Sequence, residues 1–255
     1  MERSILGWLA QVAPVALRVG GLLTLSPFFG DRAIPNLLKA GILVALTALL
    51  VPVLPARPAP AGPVDWAQMA IGELLVGLLM GLSLQAVFEG MQFAGQISGI
   101  QLGLSLASLF DPQSNADSTA LTVFYNLITL LIFLQLNVHH WVLRMVSRSF
   151  EYLPAGGMVA TQLVSRQLVH VVGALFVLGI QVAAPVLLAT MMIDLVLGFL
   201  SKASPQLPAL LLGIPVKNLT GYALLIGAVS LWPGILERHF AFAIGAAERM
   251  LRLVH

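Results

Sequence analysis

The sequence predicts an all-α, integral membrane-type protein built from kinked helical hairpins, with about six apolar segments and one glycine-striped helix. Three observations predict it. Charged residues are 9% of the chain and apolar ones 58%, with a mean hydropathy of +0.94; a soluble domain carries roughly 25% charge. The apolar residues fall in runs close to the ~20 residues that cross a bilayer. Short breaks of proline, glycine and charge separate the runs. Such a chain cannot cover a soluble surface. Its net charge of +2 is too small and scattered for nucleic acid. It has no cysteine, which removes disulfides, thiolate metal sites and a cysteine nucleophile.

The segments follow in order. Met1-Glu2-Arg3-Ser4 does not read as a signal peptide, because the first apolar run carries Arg18 and lacks a small-residue cleavage site. That run is Val12 to Phe29, with Pro27 near its end, and residues 30–36 form a polar turn. Leu37 to Leu54 is the second segment, and the proline-rich stretch 52–63 is an extended, stiff connector. The third segment runs from Asp65 to about Phe88 and can continue into the glycine-striped helix, with Gly90 as a weak point. Ala120 to Val142 is again a span, ending in His139-His140-Trp141. A charged connector, Leu143 to Gln167, breaks at Pro154-Ala155-Gly156-Gly157. Leu168 to Leu200 exceeds a simple span and is expected to kink at Pro185. After a short turn, 201–208, the last long segment runs from Leu207 to Trp232. The tail, Glu237 to His255, has an apolar side for an interface or a partner helix.

The stretch from Gly95 to Asn115 is the most informative. Read as a helix, it places Gly95, Gly99, Gly103 and Ala107 four apart on one small-residue face, where another backbone can approach closely. Gln85, Glu89, Gln92 and Gln96 make a polar stripe leading into it. The helix is expected to stop at Leu109-Phe110-Asp111-Pro112, since proline cannot continue it. The longest polar run in the chain follows. A packed, partly polar helix ending in an apolar tip and a loop suits a closure in a protein-lined path.

Arg18, Glu73, Glu89, Asp194 and Lys217 lie in or at the ends of apolar segments, where charges are costly and face protein or water. They read either as a proton or ion relay or as buried pairs that hold packing, and the sequence does not say which of them pair. His139 and His140 are neighbours on a helix, so they point apart and cannot share one metal. Gly81-Leu82-Ser83 and Gly103-Leu104-Ser105, with His139, His140 and His170 downstream, are short matches to an intramembrane serine protease, a pattern that arises often by chance. No metal, cofactor or catalytic set is expected. Counting Lys and Arg across six spans places both termini in the cytoplasm.

Gly99-Ile100-Gln101-Leu102-Gly103-Leu104-Ser105 followed by Phe110-Asp111-Pro112 resembles the signature region of the FliR/SctT family of type III export-gate proteins. Pro14-Val15-Ala16-Leu17-Arg18-Val19, Ser26-Pro27, Arg32-Ala33-Ile34-Pro35, Leu153-Pro154-Ala155-Gly156 and Asp194 to Leu200 with Ala203 to Leu207 extend the resemblance over nearly the whole chain. It implies a single domain, 1–255, with a FliP-like part over about 1–165 and a FliQ-like hairpin over about 166–255. It implies no enzyme activity. The expected role is a subunit of the flagellar export gate, assembled with FliP and FliQ, acting with FlhB and FlhA, and passing unfolded flagellar proteins. The expected location is the bacterial inner membrane and flagellar basal body, partly above the membrane plane. The resemblance makes Leu106, Leu109, Phe110, Asp111, Pro112, Gln113, Ser114 and Asn115 a pore plug. It makes Lys202, Ser204, Pro205 and Gln206 a contact turn for FlhB, on the cytoplasmic side, against the charge count. An injectisome subunit of the same family, or an unrelated ion or small-molecule transporter using Glu73, Glu89 and Asp194, are the alternatives.

Overall fold

A computed structural model describes residues 2–27, 35–53, 60–104, 120–154, 161–204 and 209–252, and among them the structure is helical with no strand. The helices are α1 Glu2–Leu25, α2 Asn36–Leu50, α3 Pro63–Gln101, α4 Ala120–Gln135, α5 Val138–Tyr152, α6 Thr161–Ala203, α7 Ala209–Val229 and α8 Trp232–Arg252, with a 3₁₀ turn at Val51–Val53. Three helical stretches are each long and apolar enough to cross a membrane, and up to five crossings result if each of two broken pairs counts as one. The all-α, membrane-type expectation therefore holds.

Several boundaries differ from the expected ones for local reasons. Helix α1 begins at Glu2 and runs through Pro14, well before the apolar run that marked it. The third segment and the glycine helix are one helix of 39 residues, unbroken at Gly90. The span expected over 120–142 divides at Asn137, whose φ of 54° is the left-handed conformation that asparagine tolerates. The first half of the expected connector is therefore helix α5, which ends at the extended Leu153 just before Pro154. The last segment divides at Ser230-Leu231, and α8 starts at Trp232 with Pro233 in its first turn, where a missing N–H is harmless.

Two compact units arise. The first comprises residues 1–86, 137–172 and 240–255. Its core gathers Val15, Val19 and Leu22 of α1, Val76, Met80 and Leu84 of α3, Met145, Val146 and Phe150 of α5, and Phe240, Ala246, Ala247 and Met250 of α8. Arg252 Nη2 donates to the Tyr152 hydroxyl at 2.7 Å, and Arg148 lies 3.9 Å from the Glu248 carboxylate. The equal steps, 148 to 152 and 248 to 252, bring one face of α5 against one face of α8. The tail's apolar side is thus buried within this unit.

The second unit comprises residues 87–136 and 173–239. Phe88, Met91 and Ala94 of α3, Tyr125, Ile132 and Phe133 of α4, Leu178, Val182 and Val186 of α6, and Trp232 and Leu236 of α8 fill its core. The Tyr125 and Trp232 rings meet at a tilt of 46° with centroids 4.6 Å apart, and Phe88 meets Phe133 edge-on at 5.9 Å. The outward residues of α6 and α7, among them Phe176, Val177, Ile180, Leu219 and Ile226, are apolar and exposed. They suit hydrocarbon or neighbouring subunits rather than water.

Candidate functional site

The first unit is organised on Arg18. A cation at the middle of an apolar helix must be matched in charge and in hydrogen bonds. Arg18 Nε donates to Glu73 Oε2 at 2.6 Å, Nη1 donates to Ser149 Oγ at 3.0 Å, and Nη2 donates to the Leu153 carbonyl at 3.0 Å. The guanidinium lies 3.9 Å over the Phe150 ring. Arg18 and Glu73 are 0% and 2% exposed. Three helices, α1, α3 and α5, are thereby pinned by one planar group whose fork reaches all of them.

The five charges read from the sequence do not share this environment. Glu89 is exposed, one residue and ~100° of helical rotation from Gly90, which faces the core. Asp194 is also not buried: its side chain is 49% exposed and pairs with Lys217 Nζ, 19% exposed, at 2.5 Å across α6 and α7. A cleft of about 260 Å³ adjoins that pair, floored by Gly198, Ser201 and Gly213. Burial of Glu89 and Asp194 is therefore corrected, and Lys217 is half-buried; the Arg18–Glu73 pair is the buried one. Lys202, at the end of α6, is exposed, and Ser204 donates its backbone N–H to the Leu200 carbonyl at 2.8 Å. Pro205 and Gln206 lie outside the described residues.

The glycine stripe is real at one end and altered at the other. A Cβ on Gly95 would sit 2.9 Å from the Thr122 Cα of α4, so that glycine permits close contact. Gly103, in contrast, lies past the end of α3 with φ 76°. Leu104 N–H bonds to the Gly99 carbonyl at 2.9 Å and Gly103 N–H to the Ile100 carbonyl at 3.0 Å. This is a Schellman termination, in which glycine supplies the left-handed residue. The helix stops at Gln101 rather than at Pro112, and Gly103 is its cap, not a further step of the stripe. Ala107 and the expected plug, Leu106, Leu109, Phe110, Asp111, Pro112, Gln113, Ser114 and Asn115, lie outside the described residues.

Other glycines make contacts as close or closer. A Cβ on Gly77 would collide with the Arg18 carbonyl, and one on Gly21 would lie 2.7 Å from the Leu74 carbonyl. Helices α1 and α3 thus cross backbone to backbone, beside the Arg18–Glu73 pair. In the second unit, a Cβ on Gly90 would lie 2.9 Å from the Leu175 carbonyl, and one on Gly179 3.0 Å from the Gly90 carbonyl. Small residues spaced 77, 81, 90 and 95 on α3 carried that signal, masked by the more regular series further on. Ser149 and Phe150 gave no signal; they look like ordinary members of an amphipathic helix.

The stripe of Gln85, Glu89, Gln92 and Gln96 faces outward: Glu89 and Gln96 are exposed, Gln85 and Gln92 half-buried. The Ser83 hydroxyl is buried and donates to the Leu79 carbonyl of its own helix at 2.9 Å, not to a histidine. His139 and His140 do not point apart as expected: both lie in the first turn of α5 with ring centroids 4.3 Å from each other. Among the described residues no three His, Asp or Glu side chains gather as a metal ion requires.

The sequence model of the bacterial export proteins, family 1, matches residues 9–243. The flagellar biosynthetic protein FliR of Pectobacterium carotovorum subsp. carotovorum is 30% identical over 237 residues, covering 93% of this chain and 91% of that protein. FliR of Escherichia coli (strain K12) is 29% identical over 92% of this chain and 90% of its own length. FliR of Bacillus subtilis (strain 168) is 27% identical over 94% of each.

Proposed function

The chain belongs to the bacterial export proteins, family 1, alongside the flagellar biosynthetic proteins FliR, and from that membership we propose that it is a subunit of the flagellar type III export gate. It forms, with FliP and FliQ, the pore through which unfolded flagellar proteins leave the cell, and it meets FlhB and FlhA at the inner-membrane base of the flagellar basal body. The observation that carries this reading is the extent of the match, which covers residues 9–243 and so every apolar segment but the ends. The chain's part is to close and line a path, not to catalyse.

Two features of the fold support the reading. Apolar outer faces on α6 and α7 leave large surfaces for neighbouring helices or lipid. A polar line on α3 leads toward the cap at Gly103, after which the plug segment, 106–115, begins. A helix firmly ended by a Schellman cap gives such a segment a fixed root. Leu109 and Phe110 form its apolar tip, which closes a pore to water and ions by dewetting. The first part, about 1–165, is FliP-like, the last, about 166–255, is a FliQ-like hairpin, and the turn with Lys202, Ser204, Pro205 and Gln206 receives FlhB on the cytoplasmic side.

Co-expression with the FliP and FliQ homologues of the same organism, followed by native mass spectrometry, tests the assembly. A defined complex containing this chain is expected; a stable chain that ignores both partners would return the transporter reading. Replacing Leu109 and Phe110 with glycine is expected to make the closed assembly leak ions, read as membrane conductance. Unchanged conductance in an intact assembly would remove the plug assignment.

A further inference from the structure

Asp194 of α6 and Lys217 of α7 pair at 2.5 Å, and the cleft of about 260 Å³ beside them is lined by Leu197, Gly198, Ser201, Gly213 and Ile214. Asp194, Gly198 and Ser201 stand four and three apart on α6, and Gly213 and Lys217 four apart on α7, so each helix gives one face to the same seam. A Cβ on Gly198 would meet nothing within 4 Å, and one on Gly213 would meet the Leu197 Cδ1 at 2.8 Å. The hairpin leaves this space unfilled although its own residues surround it.

The neighbours of the seam say what covers it. Leu195, Val196, Phe199, Val216 and Leu219 are apolar and exposed, so the surface around the pair is not made for water. Asp194 lies nine residues, ~13 Å, before the end of α6 at Ala203, too far for its carboxylate to reach the tip of the hairpin. In hydrocarbon a half-exposed ion pair is strongly disfavoured. Protein is the cover that remains. The pair also states the chemistry of that protein. Asp194 is 49% exposed and Lys217 19%, so the carboxylate is the less complete member; Oδ1 takes the lysine, and Oδ2 has no partner among the described residues. A second cation would give the covered group a net charge. Its complement is therefore a neutral donor, a hydroxyl, a carboxamide or an indole N–H. The cleft is smaller than the ~300–1,000 Å³ of small-molecule pockets and suits an inserted side chain.

We propose that this seam receives a helix of a neighbouring subunit, which sets a large apolar side chain over Gly198 and Gly213 and, one turn along, a neutral hydrogen-bond donor on Asp194. The inference rests on the export-gate reading above and locates one of its subunit contacts. Gly198, Ser201 and Gly213 let the incoming backbone approach closely, as helices do where packing and hydrogen bonds drive association. The ion pair sets the register, because a shift of one turn would take the donor off the carboxylate.

The full chain, co-expressed with the FliP and FliQ homologues of its organism, tests this. Native mass spectrometry reads the yield of complex, and the melting temperature of each chain alone reads its fold. Gly198→Leu places a side chain in space that the chain leaves open, so its melting temperature is expected to match or exceed the parent's. Its yield of complex is expected to fall about tenfold. Gly227→Leu, likewise with nothing within 4 Å of its Cβ but outside the seam, is expected to keep the parental yield. Asp194→Leu/Lys217→Leu separates protein from lipid as the cover, and decides alone if Gly198→Leu does not fold. Against a partner's donor, its yield falls about tenfold; against hydrocarbon, it loses nothing. Parental yield in the double variant would overturn the proposal and leave the assembly reading standing. Equal losses in Gly198→Leu and Gly227→Leu would overturn it too, because the whole outer face, not the seam, would be the contact. A parent chain that forms no complex with either homologue would overturn the export-gate reading and this contact together.

Discussion

Replacing Arg18 or Glu73 with alanine is expected to destabilise the chain by about 3–5 kcal/mol, because either change strands the other charge in a buried site. The Arg18→Ala variant also removes the donors to the Ser149 hydroxyl oxygen and the Leu153 carbonyl and the cation over Phe150. Arg18→Lys is expected to recover little, since an ammonium cannot present three donors in one plane to α3, α5 and the Leu153 carbonyl together. The double variant Arg18→Leu/Glu73→Leu is expected to be far milder than either single alanine change, because no lone charge is left behind. Thermal denaturation in detergent and steady-state abundance in membranes measure all four. A Glu73→Ala chain as stable as the parent, assembled but inactive, would instead make this pair a proton relay.

Gly77→Ala is the second large effect. Its methyl group collides with the Arg18 carbonyl, on a backbone that cannot turn away as a side chain can. Overpacking of this kind costs about 1–3 kcal/mol or more. Displacing α1 at residue 18 also pulls Arg18 off Glu73, so the loss is expected to exceed that of a simple clash. Gly77→Leu is expected to yield no folded chain. Gly173→Ala is the internal control: nothing lies within 4 Å of its added methyl, and alanine favours a helix over glycine by about 1 kcal/mol. Equal melting temperatures for Gly77→Ala and Gly173→Ala would show that α1 and α3 do not need this approach.

The class of fold was legible because composition alone excludes a soluble surface, and each apolar run became helix. Boundaries were less legible where a single residue's conformation decides them. Residues 120–142 average to a span, yet Asn137 divides them, and its left-handed φ has no hydropathy signature. Gly103 shows the converse. Its place in a series four apart reads equally well as a packing face or as a cap, and only the hydrogen bonds to Gly99 and Ile100 separate the two. Of the site, Arg18 and Glu73 were visible as out-of-place charges. Their pairing was not, since they are 55 residues apart and the hydroxyl that completes the set is 131 residues from Arg18. Lys217 and Asp194 do meet, but at a surface, because a hairpin has two sides and the sequence does not say which is covered.

The composition of the first unit has a consequence for how the protein is made. Its core draws Val15 and Val19 from near one end of the chain and Phe240, Ala246, Ala247 and Met250 from near the other. During synthesis α1 and α3 emerge early and can meet through Gly21 and Gly77, but the surface that α8 covers stays open until residues 240–252 leave the ribosome. Contacts so distant in sequence form slowly, and exposed apolar surface attracts aggregation or a chaperone in the interval. A ribosome stalled before Phe240 should therefore hold a protease-sensitive first unit, and the released full chain should carry a resistant one. Completion of this unit is timed by translation, so quality control at the membrane has a natural checkpoint after the final helix is released.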